Sequence, residues 1–201
     1  MKQNFLYRFR LLHHYFLSRS KFDIHSPFVY KIFSEILKDK KDYAEYHTPI
    51  KKKSNKYTPL SKKDYRLLFR LSKYFKPKNI LMLGSTDGKC ASYLASGSPA
   101  SFIISILDSI GLIAYPGMFD MVFVLDDLPG KVIPDYFSRV MQHIHNDSVL
   151  IFCNIHGSKE MHEVWNEIIN NSSVTITIDL FKLGLVFCKE ELTKEDFILR
   201  Y

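Results

Sequence analysis

A turn punctuated by glycines is the part of this sequence best suited to bind a cofactor. The stretch "NILMLGSTDGKC" places Gly84 and Gly88 four residues apart, after a short apolar run and before a helix-forming segment. Because glycine lacks a Cβ, Gly84 lets backbone N–H groups approach a ligand, and the start of a helix adds positive dipole character. In α/β sheets, ligands bind beyond the carboxyl ends of strands. The pattern indicates a nucleotide-type ligand at Gly84, Ser85 and Gly88.

A second candidate for the same ligand is Asp108, which ends the apolar run "SFIISILDS". An acidic side chain at the end of the second strand is positioned to accept hydrogen bonds from ribose hydroxyls. The alternative is that Asp108 begins a turn and contacts no ligand. The sequence leaves both interpretations open.

The remaining nucleophilic and basic side chains favour a structural role. Cys153 could act as a nucleophile and His156 as a general base, but a buried inert cysteine and a capping or surface histidine are the commoner cases. The same holds for His143 and His145. The three cysteines are odd in number and far apart, which fits neither a disulfide framework nor a zinc site and favours a reducing, cytoplasmic location.

The charge is unevenly distributed along the 201 residues. Residues 1–63 hold 15 Lys/Arg and 5 Asp/Glu, so this part carries +10 and the remainder carries −3, for a total of +7. A basic segment of this kind can face nucleic acid or anionic lipid. The lysine-rich stretch "KKKSNKYTPLSKK" has few aromatic residues, however, which favours a solvated loop and argues against nucleic acid. No apolar run approaches the ~18 residues of a membrane span, and the amino terminus lacks the pattern of a secretory signal.

Helices are expected first along the chain. Residues 3–18 place Phe5, Phe9, Leu12 and Phe16 at helical spacing, which predicts an amphipathic helix. Such a helix packs on its own domain, on a partner subunit or on a membrane surface. A second helix is expected with Ser26 as its cap and Pro27 at its first position, and a third begins near Ser61. Residues 39–60 are expected to form a connector. We therefore expect a helical extension with a basic linker over 1–60.

From residue 61 onward, short apolar runs alternate with helical segments, which predicts one α/β domain over 61–201 with a sheet covered on both faces. The expected strands are Ile80–Leu83, Phe102–Leu107, Met121–Leu125, Val149–Cys153, Val174–Leu180 and Gly184–Lys189. The expected helices are Lys89–Ala95, Ile133–His143 and one that follows Ser158. "FKLG" between the last two strands indicates a tight antiparallel turn, so a hairpin closes the domain.

Several segments resemble one known family: "IHSPFVY", "FKPKNILMLG", "HIHNDSVLIFCNIHGSKEM", "VTITIDLFKLGLVF" and "DFILRY". The chain is similar in these segments to the class I S-adenosylmethionine-dependent methyltransferases of O-methyltransferase-like type that are common in Bacteroidetes. The resemblance implies a Rossmann-like sheet with a carboxyl-terminal antiparallel hairpin, a helical amino-terminal extension and S-adenosylmethionine as cofactor. Gly84, Ser85, Gly88 and Asp108 are the residues we assign to that cofactor.

The chain departs from the family at its acidic positions. Where the family has "LELG", the acid is replaced by Met82. Where the family reads "IDGNH", this chain has Leu125 at the position of the acid, and Asp126 is displaced from that position by one residue. Where the family reads "FDDIHWSKEM", Cys153 and Asn154 replace the two acids. In related enzymes such acids hold a divalent metal, and hard ions need several oxygen ligands. We therefore expect no metal, and the catalytic candidates that remain are Asp126, Asn154 and His156.

The interval between the second and third strands is also short. Only ten residues separate Asp108 from Phe119, where family members have a helix, a strand and another helix. Parallel strands normally need a crossover of about a dozen residues or more. An exposed sheet face and edge strand must be covered. We expect either the segment "IGLIAYPGM" to plug this face, or a homodimer or partner subunit to cover it.

Three hypotheses follow for function. The first is a methyltransferase-like protein that has kept the fold and lost the chemistry, with an interaction or regulatory role. The second is an active S-adenosylmethionine-dependent methyltransferase that works without a metal, by holding an acceptor in line with the methyl group. The third is a protein that binds nucleic acid or an anionic surface through its basic amino-terminal part.

Overall fold

A single seven-stranded sheet organises the protein, in a computed structural model that describes residues 2–47, 60–84, 88–106, 117–125 and 133–201. The strands are β1 (Asn79–Leu83), β2 (Phe102–Ile106), β3 (Phe119–Val124), β4 (Ile144–Cys153), β5 (Ile176–Asp179), β6 (Leu183–Phe187) and β7 (Glu195–Ile198). Their order across the sheet is β2-β1-β3-β4-β6-β5-β7.

Six α-helices accompany the sheet in the described ranges. They are α1 (Lys2–Leu17), α2 (Pro27–Ile32), α3 (Lys62–Phe75), α4 (Lys89–Gly97), α5 (Ile133–Val140) and α6 (Lys159–Asn170). A π-helical turn, Phe33–Leu37, continues α2. None of these helices combines the length and the apolar character needed to cross a bilayer.

The strand directions confirm the predicted α/β fold. Strands β1 to β4 are parallel, β6 runs antiparallel to β4 and to β5, and β7 runs parallel to β5. The first four strands and β5 therefore point the same way, and their carboxyl ends meet at one edge of the sheet. The sheet is the expected Rossmann-like one, mostly parallel with an antiparallel hairpin near its end.

Two apolar clusters cover the two faces of the sheet, as continuous apolar strands require. One face packs against α2, α3 and α4, and the other against α5 and α6. Alternation along β1 divides its side chains between them: Met82 belongs to the first cluster, whereas Leu81 and Leu83 belong to the second. Because α2 packs in the same cluster as α3, the two segments share a core. The domain boundary at residue 60 stays a prediction.

The end of the chain differs from the expectation that the β5–β6 hairpin closes the sheet. Residues Glu195–Ile198 form β7, which pairs with β5 in parallel and places Ile176 beside Glu195. The strand is short and half of it is charged, so it lacks the apolar run that revealed the others. Strand β4 also begins earlier than expected, at Ile144, with a register shift between Phe119 and Met121 on β3.

The first helix forms where it is expected but presents its apolar stripe to solvent. Phe9, Leu12 and Phe16 are 62%, 58% and 79% exposed. The face that contacts the rest of the protein carries the buried His14 and the half-buried Tyr7, and the ring of Tyr7 packs edge-on against Phe181. Polar and aromatic contacts, and not the apolar stripe, hold α1 in place.

The second strand lies at one edge of the sheet. Within the described residues β2 pairs with β1 alone, and Phe102 is 73% exposed. The short interval after Asp108 and the predicted plug fall mostly in 107–116, outside the described residues.

The packing of α3 against α4 depends on Gly97. A Cβ at this position would collide with the carbonyl oxygen of Phe69 and would lie 2.9 Å from the Cβ of Ser72. Because a backbone carbonyl cannot rotate away, Gly97→Ala must push the two helices apart. We expect it to lower the free energy of unfolding by about 1–3 kcal/mol, measured by urea titration of the circular dichroism signal.

The control is Ser96→Ala on the same helix, which removes only a hydroxyl bonded to the carbonyl of Ser92. This variant should unfold within about 0.5 kcal/mol of the wild type. Equal stability of Gly97→Ala and Ser96→Ala would contradict the close approach of α3 and α4 at Gly97.

Candidate functional site

The glycine turn lies at the carboxyl edge of the sheet, directly after β1. Gly84 and Gly88 have φ angles of 100° and 86°, a backbone region that other residues rarely adopt, and α4 begins at the next residue, Lys89. The N–H of Gly84 donates to the carbonyl oxygen of Ile106 at 3.1 Å, which ties the turn to the end of β2. Ser85 and Asp108 lie outside the described residues. The assignment of Gly84, Ser85, Gly88 and Asp108 to a cofactor stays a prediction.

The three positions at which the resemblance implies acids are part of the apolar core. Met82, Leu125 and Cys153 are almost fully buried, in the cluster that packs against α3 and α4. Among the described residues no group of three or more His, Cys, Asp or Glu could hold a metal ion. Asp126, the displaced acid, lies outside them. The side chains of Met82, Leu125 and Cys153 offer none of the oxygen ligands that a hard divalent cation prefers.

Asn154 follows β4 in a left-handed conformation, with a φ angle of 56°. Its N–H donates to the carbonyl oxygen of Lys182 at 2.5 Å, which joins β4 to the turn of the hairpin. Its side chain fills the space beside Gly157, where any Cβ would collide with it. Any side chain at position 157 would therefore displace that of Asn154.

His156 is buried, which corrects the prediction that it is a capping or surface histidine. Its Nε2 donates to Oδ2 of Asp179 at 2.6 Å, and its ring stacks on Phe181 with centroids 5.1 Å apart. The other carboxylate oxygen of Asp179 accepts the N–H of Phe181 at 2.7 Å, and the Nε2–H of His14 is shared between this oxygen and the backbone carbonyl oxygen of Asp179, each at 3.1 Å. We call His14, Asp179 and His156 the His–Asp–His cluster.

Sequence reasoning missed two members of this cluster. His14 lies 165 residues before Asp179, and the motif "HH" on a helix gave no signal of a distant partner. Asp179 ends the apolar strand "ITID", and the acid at the end of that strand was the available signal. Because β5 points the same way as β1, that acid had to lie at the carboxyl edge.

The cluster stabilises a buried carboxylate. Burial by itself would raise the pKa of Asp179, but hydrogen bonds from His14 and His156 and their electrostatic interactions outweigh it and hold the pKa well below its usual range. Asp179 is therefore ionised at neutral pH. Hydrogen bonds to the charged form are the physical reason.

The cluster also fixes α1 against the carboxyl edge. The Nη1 of Arg10 donates to the carbonyl oxygens of His156 and Ser158, at 3.3 and 3.1 Å. At the end of the helix, the N–H of Arg19 donates to the carbonyl oxygen of Ile198 at 2.8 Å. These contacts require the polar face of α1 to point inward and leave Phe16 in solvent.

His143 and His145 lie at the amino ends of the strands, opposite the carboxyl edge of the sheet. His145 bonds through Nε2 to Oδ1 of Asp120 at 3.0 Å, and Asp120 also accepts the backbone N–H groups of Lys78 and Asn79. This network holds the amino ends of β1 and β3 together. This network agrees with the structural role that we expect for these two histidines.

No protein-family model and no curated protein matches this sequence. Solved structures do match the fold. An O-methyltransferase from Streptomyces achromogenes involved in tomaymycin synthesis, in complex with S-adenosylmethionine, is 18% identical, with a TM-score of 0.53 over 65% of this chain and 81% of its own. An O-methyltransferase from Bacillus cereus in complex with S-adenosylhomocysteine is 16% identical, with a TM-score of 0.53 over 66% and 84%.

A putative caffeoyl-CoA O-methyltransferase from Staphylococcus aureus aligns over more of the chain. It is 14% identical, with a TM-score of 0.52 over 90% of this chain and 98% of its own. At these identities the likeness shows the fold alone. The fold is that of the class I methyltransferases, as the sequence resemblance implies.

Removal of the charge of Asp179 should loosen α1. We expect Asp179→Asn to lower the free energy of unfolding by about 1.5–3 kcal/mol at pH 7, because hydrogen bonds to a buried charged group are lost. The folded pKa is depressed, so the stabilisation is complete above the unfolded value near 3.8 and is lost as the pH falls towards the folded value. The difference between variant and wild type should shrink below about pH 4, measured by urea unfolding across pH.

The matched control is Glu163→Gln, which breaks the exposed ion pair with Lys159. It should change stability by less than about 0.5 kcal/mol at either pH. Equal stability of Asp179→Asn and wild type at pH 7 would contradict the role of the His–Asp–His cluster.

Proposed function

We propose that this chain is a methyltransferase-like protein of the S-adenosylmethionine-dependent class that has lost metal-assisted chemistry and serves an interaction or regulatory role. The observation that carries the proposal is the burial of Met82, Leu125 and Cys153 in the apolar core, at three positions where the family has acids. A side chain that has become part of the core cannot turn outward to bind a ligand without leaving a cavity behind.

A second candidate function is an active transferase without a metal, and the preserved glycine turn favours it. Gly84 and Gly88 keep the positive φ angles that admit a ligand close to the backbone. In this case Gly84, Ser85, Gly88 and Asp108 would hold S-adenosylmethionine. Positioning of the acceptor alone accelerates methyl transfer, so the loss of metal ligands does not exclude it.

Titration calorimetry with S-adenosylmethionine separates the two functions. On the first proposal we expect no heat of binding at millimolar ligand, with or without magnesium. A micromolar dissociation constant would overturn it and support the active transferase. In that event Gly84→Val should abolish binding, because valine is strained at a φ of 100°, whereas the control Ser96→Ala should not.

The interaction role is supported by β2. This strand pairs on one side only within the described residues, and the sequence from Ala95 to Met118 contains a single charged residue, Asp108. Edge strands are normally protected by charges or prolines. An edge without charges fits a second copy of this chain, because no like charges oppose its approach. We therefore propose a homodimer that pairs through β2.

Light scattering after size exclusion tests the homodimer. The wild type should elute as a dimer and Phe102→Lys as a monomer, because the lysine places a charge on the edge strand. The control Phe22→Lys changes an equally exposed phenylalanine far along the chain from β2 and should stay dimeric. A monomeric wild type, or a dimeric Phe102→Lys, would contradict this interface.

A further inference from the structure

The side of α1 that points away from the sheet is mostly apolar. Arg10 and His14 hold the helix on the carboxyl edge, and successive residues of a helix turn by about 100°. Leu12, Tyr15 and Phe16 therefore lie on the opposite side, and each of them is more than half exposed. The rings of Tyr15 and Phe16 pack edge to face with their centroids 5.9 Å apart. These three side chains form one exposed apolar surface.

Two cations border this apolar surface. Arg8 is exposed and lies one turn before Leu12 and two turns before Tyr15, on the same side of the helix. The guanidinium carbon of Arg200, which is also exposed, lies 4.2 Å from the ring centroid of Tyr15. We call Arg8, Leu12, Tyr15, Phe16 and Arg200 the outward face of α1.

The sequence around this face adds positive charge. Residues 1–22 hold five Lys/Arg and no Asp/Glu. Two acids near the end of the helix are already engaged, since Asp23 accepts the N–H and the hydroxyl hydrogen of Ser20, and Glu195 pairs with Arg19 at 2.7 Å. The outward face of α1 therefore combines apolar side chains with a positive charge.

An anionic membrane surface is the partner that uses both of these features. Apolar side chains of a surface helix enter the acyl boundary, and its cations bind lipid phosphates. A second copy of the chain would bring Arg8 and Arg200 of both molecules together, so like charges would oppose that contact. A nucleic acid would engage the arginines and the rings but would leave Leu12 in water.

We propose that the outward face of α1 binds the surface of a membrane rich in anionic phospholipids. The helix lies in the plane of the interface, with Leu12 and Phe16 at the acyl boundary and the two arginines at the phosphates. Tyr15 suits this depth because its ring is apolar and its hydroxyl is polar. The long stems of Arg8 and Arg200 let their guanidinium groups reach the headgroups.

The helix is held in place before it meets the membrane. Nη1 of Arg10 donates to the carbonyl oxygens of His156 and Ser158, and Nε2 of His14 bonds to Asp179. Segments that fold only on binding lose part of the interaction free energy to the ordering of their backbone. Because α1 is already ordered by these contacts, membrane binding avoids most of that cost.

This proposal goes beyond the proposed function, because it rests on α1 and not on the glycine turn or on β2. Binding to vesicles, binding of S-adenosylmethionine and pairing through β2 are three separate measurements. Failure of one of them leaves the other two unaffected.

Co-sedimentation with vesicles tests the membrane surface at neutral pH. One set of vesicles is pure phosphatidylcholine, and the other holds equal parts of phosphatidylcholine and phosphatidylglycerol. At roughly 0.1 M salt we expect the protein to bind the anionic vesicles at least about tenfold more tightly, because each arginine near an anionic surface adds about fivefold. At roughly 1 M salt the Debye length falls from ~10 to ~3 Å, and this preference should largely vanish. Equal binding to both vesicles, no binding to the anionic vesicles, or a preference insensitive to salt would each overturn the proposal.

Variants at exposed positions locate the docking surface. Phe16→Ser should weaken binding to the anionic vesicles at least about tenfold, and Arg8→Gln about fivefold. The matched controls are Met118→Ser and Lys78→Gln, at exposed positions beside the amino ends of β3 and β1 and thus opposite α1. Both controls should bind within about twofold of the wild type, and all four variants should keep its circular dichroism. Undiminished vesicle binding by Phe16→Ser or by Arg8→Gln would refute the outward face of α1 as the docking surface.

The same variants reveal a different occupant of this face. If vesicles are not bound and Phe16→Ser converts a dimer into a monomer in light scattering, the face belongs to a second copy of the chain. If vesicles are not bound and labelled polythymidine is, the partner is a nucleic acid. Either result would overturn the membrane surface.

Discussion

The buried carboxylate of Asp179 is the constraint on which the carboxyl edge of this protein depends. It accepts hydrogen bonds from His14 on α1, from His156 after β4 and from Phe181 in the hairpin turn. Three segments that are distant in sequence therefore meet at one charge. An uncompensated charge in such a place would be strongly destabilising, so the positions of all three segments are coupled. The inward polar face of α1 follows from this arrangement.

The conformation of the glycine turn and the side chains at the strand ends are separate features of the carboxyl edge. Burial of Met82, Leu125 and Cys153 leaves the strands apolar to their ends, which is compatible with packing on both faces. The backbone at Gly84 has a positive φ angle of 100°. Conformation at the turn and chemistry at the strand ends are thus independent properties of the chain, because the first depends on glycine and the second on side chains.

The strands and helices around the sheet were predictable because their signals are local. Apolar runs marked β1, β3 and β6, and Ser26 with Pro27 marked the start of α2. The strand β7 was missed because its sequence, "EDFI", is short and charged, and it becomes a strand only through pairing with β5. The His–Asp–His cluster was missed for a related reason. His14 and Asp179 interact across 165 residues, and no local pattern records a contact of that range.

The exposed face of α1 has a consequence for the energetics of the whole fold. Six large apolar side chains of this helix are 45–79% exposed in the native state: Phe9, Leu11, Leu12, Tyr15, Phe16 and Leu17. Both the heat-capacity increment of unfolding and its sensitivity to denaturant scale with the surface newly exposed. Since part of this surface is already hydrated, both quantities should fall below the values typical of chains of the same length. A dye that reports exposed apolar surface should bind the native protein in addition to the unfolded one.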